Sequence, residues 1–125
     1  DMVKSVKIHG ENPDAKIPQL EGPRALCSSQ GIFRADVILV PLEDGDRCEA
    51  LVAMGKEVIV VDLNPLSRTS TTASVTIVDE VKRAMERMVI MALEGPLNSN
   101  SDWDNRSALV DALDEIGRST ELLST

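Results

Sequence analysis

Two short, almost uninterrupted apolar segments dominate the middle of this chain, Asp36–Pro41 and Glu57–Asp62. Each is bounded by an acid and by either a proline or a second acid. Continuous apolar runs of this length are typical of strands that are buried on both faces of a parallel sheet. We therefore predict two central strands, which restricts the chain to folds that pack helices against a sheet.

A short helix is predicted between these two strands. Asp46 is placed to cap its amino terminus, and Glu49, three residues later, can reach back to the cap. Gly55 suits the left-handed position that closes a helix. A strand, a helix and a second strand form a βαβ unit with parallel strands. The sequence therefore predicts an α/β, Rossmann-like three-layer fold with a parallel sheet.

The rest of the chain extends this unit. Residues 73–78 suit a third strand, Asp79 is placed to cap a following helix, and a last helix is predicted from about Asn105 to Arg118. Both helices carry an apolar face that we expect to be directed to the core. The positions on these faces are Val81, Met85, Met88, Val89 and Ala92 in the first helix, and Leu109, Ala112, Leu113 and Ile116 in the second.

The predicted organisation is a single domain over residues 1–125. Its parts are an irregular loop at about 10–31, a βαβ core at about 36–78 and carboxyl-terminal helices at about 79–118. A loop as long as the first part, rich in Pro and Gly, usually contacts a ligand or a partner. Val6 and Ile8 suit a further strand, and residues 119–125 are expected to fray.

The formal charge of −8 narrows the ligands that this domain can take. Nucleic acids and anionic membranes are bound chiefly by clustered Lys and Arg, so both are disfavoured as partners. A small anion is still accommodated where a few cations and backbone amides gather locally.

The hydropathy pattern and the numbers of cysteines and histidines argue against further classes of protein. No apolar run approaches the roughly 18 residues that span a bilayer, and no signal-peptide pattern opens the chain, so we predict a cytoplasmic protein. Cys27 and Cys48 have neither the density of a disulfide scaffold nor the spacing of a zinc site, which predicts reduced thiols. Because His9 is the only histidine, a Ser-His-Asp or Cys-His mechanism is disfavoured.

Ligands of open parallel α/β sheets bind beyond the carboxyl ends of the strands, where two turns of this chain are expected side by side. The first turn, Pro41–Arg47, contains three acids, a glycine and an arginine. Helix amides and Arg47 can hold phosphate oxygens, while the carboxylates can bind magnesium or a ribose. An ordinary Asp-Gly turn before a capped helix explains the same residues equally well. Cys48, in the first helical turn, is a candidate for a lowered pKa, although no general base stands near it.

The second turn, Asp62–Arg68, follows the other apolar strand. An acid at a strand end, here Asp62, is a frequent ligand of ribose hydroxyls in nucleotide-binding folds. Asn64 offers the donor and the acceptor that adenine requires, and Arg68 is favoured as a functional cation. We interpret the hydroxyl-bearing residues that follow as a mobile loop rather than a phosphate ligand; they are Thr69, Ser70, Thr71, Thr72 and Ser74. The glycines match neither the Rossmann nor the P-loop fingerprint.

A longer match points to a family. The segment Ala35–Arg47, followed by Glu49–Leu51, Met54–Lys56 and Asp62–Arg68, closely resembles the archaeal 4-phosphopantoate-beta-alanine ligase family, also called phosphopantothenate synthetases. The likeness continues more weakly through the third strand and the last two helices. It covers nearly the whole chain but corresponds to the second half of the family. The amino-terminal half of the family, which helps to hold the nucleotide and phosphopantoate, has no counterpart in these residues.

The resemblance implies an activity and a set of ligands. Family members join 4-phosphopantoate to beta-alanine and form 4'-phosphopantothenate for coenzyme A synthesis, with ATP consumed to AMP and pyrophosphate. The resemblance implies an acyl-adenylate, attacked by the amine, and catalysis by orientation and charge neutralisation. It also implies a homodimer, with ATP and Mg²⁺ as cofactors.

Carried over position by position, the resemblance assigns nucleotide contacts but no catalytic side chain and no protein ligand of a metal. Cys48 stands where the family is expected to have a threonine or another small residue. The positions that look like the ATP-contacting loop are Asp44, Gly45, Asp46, Arg47 and Cys48, and those that look like the contact to the nucleoside are Asp62, Leu63 and Asn64.

Two functions of other classes remain open from the sequence. One is a non-catalytic domain that senses a nucleotide or contacts another subunit. The other is a structural dimerisation module whose Asp-Gly turn holds no ligand. Any nucleotide-binding function requires that the first and second turns lie at one edge of the sheet.

Overall fold

The structure is a computed structural model and describes residues 7–95 and 102–123. It begins with a two-stranded antiparallel ribbon of β1 (Ala15–Lys16) and β2 (Leu26–Cys27). The prediction of an irregular loop over about 10–31 is therefore wrong in part. The segment folds back on itself, and its two arms pair.

This ribbon contributes to the core. Ile17 and Ala25 are fully buried and Cys27 is nearly so. The Ile17 N–H donates to the carbonyl oxygen of Ala25 at 2.8 Å, and a 3-10 helix over Pro23–Ala25 leads into β2. Strands of two residues are too short to produce a visible alternation of polar and apolar residues, which is why periodicity did not indicate them.

The main sheet contains β3 (Val37–Val40), β4 (Glu57–Val61) and β5 (Val75–Ile77), in the order β3-β4-β5. Both pairs of neighbouring strands are parallel, with Ile38 opposite Val58 and Val60 opposite Thr76. The predicted α/β class with a parallel sheet is confirmed.

Strand β3 differs from the central strand that its composition predicts. Within the described residues it has a neighbour on one side only, which is β4. Ile38 is buried, but Val37 is 56% exposed and Leu39 is 37% exposed. The strand is therefore an edge strand with one open face, whereas β4 is central and fully buries Val58.

Four α-helices complete the fold within the described residues. Helix α1 connects β3 to β4, which confirms the predicted βαβ unit, and Gly55 behind it has the left-handed φ of 78° that was expected. The predicted last helix is confirmed as well. The bounds are Gly45–Ala53 for α1, Arg68–Thr72 for α2, Val81–Glu94 for α3 and Asn105–Ser119 for α4.

The capping residues of two helices differ from the prediction. Asp44, rather than Asp46, caps α1 and accepts a hydrogen bond from the Arg47 N–H at 3.2 Å. Glu80, rather than Asp79, caps α3. Where two acids stand close together, the cap is the one whose backbone leaves the helical conformation, and residue type does not reveal which one that is.

Helix α3 departs furthest from its prediction. Among its described residues only Ala84 is buried, while Val89 is 59% exposed and Leu93 is 83% exposed. Met85 and Met88 are half-buried. The expected inward orientation of its apolar face is therefore wrong for this chain. An amphipathic pattern predicts that a face is apolar, but it does not identify the segment that covers it.

The hydroxyl-rich segment is folded, so its interpretation as a mobile loop is wrong. Thr69 and Ser70 are fully buried. The Ser70 hydroxyl donates to the carbonyl oxygen of Asn64, and the Thr76 hydroxyl donates to the carbonyl oxygen of Ser70, each at 2.9 Å. The Ser70 and Thr76 hydroxyls thus satisfy nearby backbone groups, as short hydroxyl side chains often do.

Helix α4 is fixed to the sheet through its first residue. The Asn105 amide nitrogen donates to the carbonyl oxygens of Ser70 and Ala73, at 2.9 Å and 3.0 Å, and its oxygen accepts from the Thr76 N–H at 2.7 Å. Of the positions predicted to be inward-facing on this helix, Leu109 is buried, whereas Ile116 is 49% exposed.

The ends of the chain were predicted less well. Ile8 is 70% exposed and lies in no strand; Val6 lies outside the described residues. The expected fraying after Arg118 is wrong as far as the description extends, because α4 continues into a 3-10 helix over Thr120–Leu123. Residues 124–125 lie outside the described part of the chain.

Candidate nucleotide site at the strand ends

The first and second turns meet, as the nucleotide-binding hypotheses require. They follow β3 and β4, which are parallel neighbours, and so they leave the same edge of the sheet. The contact between them is direct, because a guanidinium N–H of Arg68 donates to Asp46 Oδ1 and forms an ion pair. The central geometric prediction from the sequence is confirmed.

Gly45 permits this close approach. It is the first residue of α1 and is buried. A Cβ atom at this position would lie 2.6 Å from Arg68 Nε and 3.1 Å from Arg68 Cβ. Any larger residue would therefore have to displace the Arg68 side chain.

We expect Gly45→Ala to separate Arg68 from Asp46 while leaving the fold intact. Alanine suits a helix better than glycine, and an exposed ion pair contributes little, so the free energy of unfolding should change by less than about 1 kcal/mol. The displacement should appear as a shifted NMR resonance of the Arg68 Nε–H group. Gly117→Ala is the matched control, since a Cβ at Gly117 meets nothing within 4 Å. An unshifted Arg68 resonance in Gly45→Ala would contradict this account.

The first turn is organised around Asp44 and Arg47. Asp44 Oδ1 accepts from the Arg47 N–H at 3.2 Å, and the Asp44 carbonyl accepts from the Cys48 N–H at 2.9 Å. The Arg47 side chain then runs into a cleft of about 370 Å³ beside Asp44 and Pro41. Its Nε is buried and has no hydrogen-bond partner among the described residues. A buried guanidinium nitrogen of this kind is a candidate to meet an anionic ligand.

The second turn is held by its own side chains. Asp62 Oδ1 accepts from the Asn64 N–H at 2.9 Å, and Asp62 Oδ2 accepts from the Ser67 hydroxyl at 2.5 Å. Asn64 Oδ1 accepts from the Leu66 N–H at 3.0 Å, and the Ser67 oxygen caps α2. The polar residues at this strand end therefore position Arg68, the first residue of α2.

Arg24 joins the first turn to the ribbon, and sequence reasoning missed it. Its Nη2 donates to Asp44 Oδ1 at 3.1 Å and to Asp46 Oδ2 at 3.0 Å. Asp46 is therefore held by a different arginine at each oxygen, Arg24 and Arg68. No local pattern marked Arg24, because its partners are distant in sequence.

A second cleft, of about 320 Å³, opens directly beyond the strands. The first turn contributes Glu43, the second turn contributes Asp62 and the exposed Leu63, and the residues after β5 contribute Asp79 and Glu80. Asp79 was not predicted as a site residue; a hydrogen bond and an ion pair from the Arg83 side chain hold its pKa below the usual range. Carboxylates suit hydroxyls and cations, so this cleft fits a sugar better than a phosphate.

The thiol of Cys48 does not have the lowered pKa that its place in α1 suggested. The side chain is 1% exposed, and Sγ donates to the carbonyl oxygen of Thr69 at 3.7 Å. Burial, assisted by the negative charges of Asp44 and Glu49, raises the pKa of Cys48 to about 11. The desolvation of a thiolate outweighs the favourable helix position.

Cys48 is consequently expected to be inert in the native protein. At pH 8 a thiol with a pKa of about 11 is about 0.1% thiolate, so alkylation by iodoacetamide should be about 100-fold slower than in the urea-unfolded chain. Because the pKa is raised, the alkylation rate should keep increasing with pH and level off only above a pH of about 11. Peptide mass mapping separates Cys48 from Cys27, which is also free and buried. Equal rates in the native and unfolded states would show that the thiol is accessible.

The fold and this edge define a class: a Rossmann-like α/β domain with a cluster of polar side chains beyond its parallel strands. The family model described as phosphopantothenate/pantothenate synthetase matches residues 3–122. The chain therefore belongs to the phosphopantothenate/pantothenate synthetase family. The resemblance inferred from the motifs is confirmed.

Curated relatives carry a consistent name. A protein of Methanosarcina mazei named 4-phosphopantoate–beta-alanine ligase is 49% identical over 119 residues, which is 90% of this chain and 47% of the relative. A protein of Thermococcus kodakarensis with the same name is 50% identical over 115 residues, or 86% of this chain and 44% of the relative. The chain spans about half the length of the curated relatives that it matches.

Two further observations concern the described residues alone. In residues 7–95 and 102–123, no helix combines the length and the apolar character needed to cross a membrane. In the same ranges, no group of three or more His, Cys, Asp or Glu side chains is arranged to hold a metal ion.

Proposed function

We propose that this chain provides the ATP-binding part of a ligase that joins 4-phosphopantoate to beta-alanine, with ATP consumed to AMP and pyrophosphate. The product is 4'-phosphopantothenate, a precursor of coenzyme A. The observation that carries the proposal is the meeting of the first and second turns at one edge, linked by Arg68 and Asp46. Relatives that are about half identical to this chain and are named for this reaction support it.

The residues at this edge fit ATP. The buried Arg47 Nε without a described partner suits a phosphate oxygen, and Arg24 and Arg68 hold two more guanidinium groups at the carboxylate of the preceding residue, Asp46. The acidic cleft beyond the strands suits the ribose hydroxyls. The proposed contact set is Asp44, Gly45, Asp46, Arg47, Cys48, Asp62, Leu63, Asn64 and Arg68. Within it, Cys48 acts by packing beneath the first turn, because its thiol is buried.

The proposed chemistry depends on charge and orientation. Bound ATP supplies the energy that activates the carboxylate of 4-phosphopantoate. The arginines of this chain would neutralise the phosphates, and the ordered turns would hold them in a fixed position without reorganisation during the reaction. No side chain of this chain is proposed as a nucleophile, in keeping with the inert Cys48.

Several properties implied by the family remain part of the proposal. We propose that Mg²⁺ enters with the phosphates of ATP, since the described residues offer no metal-holding group. A homodimer, an archaeal source and a cytoplasmic location are also proposed from the family. The two free cysteines support a reducing compartment.

The experiment uses the protein expressed from its complete reading frame. Chromatography of a reaction with ATP, Mg²⁺, 4-phosphopantoate and beta-alanine should show AMP and 4'-phosphopantothenate in equal amounts, and omission of beta-alanine should abolish the product. Calorimetry should show ATP binding that Arg47→Ala weakens, with the exposed Arg118→Ala as a matched control. The absence of ATP binding would overturn the proposal.

A second candidate is a non-catalytic nucleotide-binding or dimerisation domain. The exposed apolar residues of α3 favour it, since such a surface is typical of an interface. ATP binding without AMP release in the same experiment would select this function over the ligase.

A further inference from the structure

Arg24 lies outside the residues that the resemblance or the sequence assigned to the site, yet it makes two of the bonds that hold the site together. It stands in the 3-10 helix Pro23–Ala25, next to the fully buried Ala25. Its guanidinium crosses to the amino terminus of α1, where it bonds Asp44 and Asp46. The ribbon thus carries a cation to the first turn.

The contribution of these bonds to folding should be small. The side chains of Arg24 and Asp46 are 54% and 53% exposed, and exposed ion pairs typically contribute little because water screens them and the long side chains lose freedom. The ribbon is held by its buried residues and its backbone pairing, not by this contact. The arrangement therefore calls for an explanation other than stability.

The charges around Asp46 offer that explanation. Its carboxylate takes Arg24 at one oxygen and Arg68 at the other. An anionic ligand that recruits Arg68 must compete with Asp46 for this guanidinium. If Arg24 also neutralises Asp46, Arg68 is held less strongly and the residual negative charge near the ligand is smaller.

We propose that Arg24 is a positioning residue that holds Asp44 and Asp46 so that Arg68 can pass to a phosphate group of the ligand. The role is exerted through Asp46 rather than through contact with the ligand. This inference rests on the proposed function, because it takes the ligand to be ATP.

The test is a double-mutant cycle in the protein from the complete reading frame, with ATP binding measured by calorimetry. Arg24→Gln keeps a hydrogen-bonding side chain and removes the charge, and it should raise Kd for ATP about 5- to 20-fold with the melting temperature nearly unchanged. Arg24→Lys, which keeps the charge, should recover most of the affinity. In an Asp46→Asn background, Arg24→Gln should change Kd by less than about twofold, because residue 46, through which Arg24 acts on Arg68, then carries no charge.

The outcomes separate this inference from the proposed function. If the parent protein binds ATP and Arg24→Gln has the same Kd, the inference is overturned while the proposed function stands. If Arg24→Gln raises Kd by the same factor in the parent and in the Asp46→Asn background, the inference is overturned as well, since Arg24 would then contact the ligand directly. If the parent protein binds no ATP, the proposed function and this inference both fail. Adenosine, which lacks phosphates, should bind the parent and Arg24→Gln equally, and a difference there would indicate a merely structural role.

Discussion

An Asn105→Ala variant is expected to lose about 2–4 kcal/mol of its free energy of unfolding. The Asn105 side chain bonds three main-chain groups, the carbonyl oxygens of Ser70 and Ala73 and the N–H of Thr76. These groups lie at the junction of α2, β5 and α4. Alanine would leave the Ala73 carbonyl and the Thr76 N–H without this side-chain partner, while the Ser70 carbonyl would still accept from the Thr76 hydroxyl. An unsatisfied buried group costs about 1–3 kcal/mol.

Urea unfolding followed by circular dichroism measures this loss. Asn105→Asp keeps the oxygen that accepts from the Thr76 N–H but removes both donated hydrogen bonds. Its free energy of unfolding should lie between those of the parent and Asn105→Ala. Asn12→Ala, at an exposed asparagine, is the matched control and should lie within about 0.5 kcal/mol of the parent. A loss below about 1 kcal/mol in Asn105→Ala would mean that water replaces the amide without cost.

The second large effect concerns ligand binding. Asp62→Ala should weaken ATP binding at least about tenfold, which corresponds to about 1.4 kcal/mol. Its carboxylate holds the Asn64 N–H and the Ser67 hydroxyl, and Ser67 caps the helix that begins with Arg68. Removing the carboxylate frees the second turn, so the cost of ordering Arg68 would be added to the cost of binding.

Calorimetry with ATP on the protein from the complete reading frame checks this effect. Asp62→Asn can still accept from the Asn64 N–H and should lose less affinity than Asp62→Ala. Asp111→Ala removes an exposed acid of α4 that lines neither cleft at the strand ends, and it should leave Kd within about twofold of the parent. If the Kd for Asp62→Ala is also within about twofold of the parent, the second turn keeps its shape without the Asp62 carboxylate.

The parts of the fold that could be predicted are those encoded by local pattern and by the topology that follows from it. Two apolar runs with a helix between them imply parallel strands, and parallel neighbours bring the turns that follow them to one edge. That step predicts that the turns containing Asp46 and Arg68 lie side by side, although it does not predict the ion pair between them. The bounds of α4 and the left-handed Gly55 followed from local residue preferences in the same way.

The errors arise where the outcome depends on distant residues. Arg24 was not predicted, because nothing near it in sequence indicates that Asp44 and Asp46 are its partners. The burial of Thr69 and Ser70 depends on packing that a list of hydroxyl residues does not reveal. The pKa of Cys48 was predicted in the wrong direction, because burial, which only the fold determines, outweighs the effect of the helix terminus.

The open side of β3 has a practical consequence for handling this chain. An edge strand presents unpaired backbone groups, and Val37 and Leu39 add exposed apolar side chains beside them. Such an edge is a template for strand addition between molecules, which leads to aggregation at high concentration. Lysine at position 39 would place a charge on this edge, in the way that natural proteins protect exposed strands, and should extend the concentration range in which the isolated chain can be stored and studied.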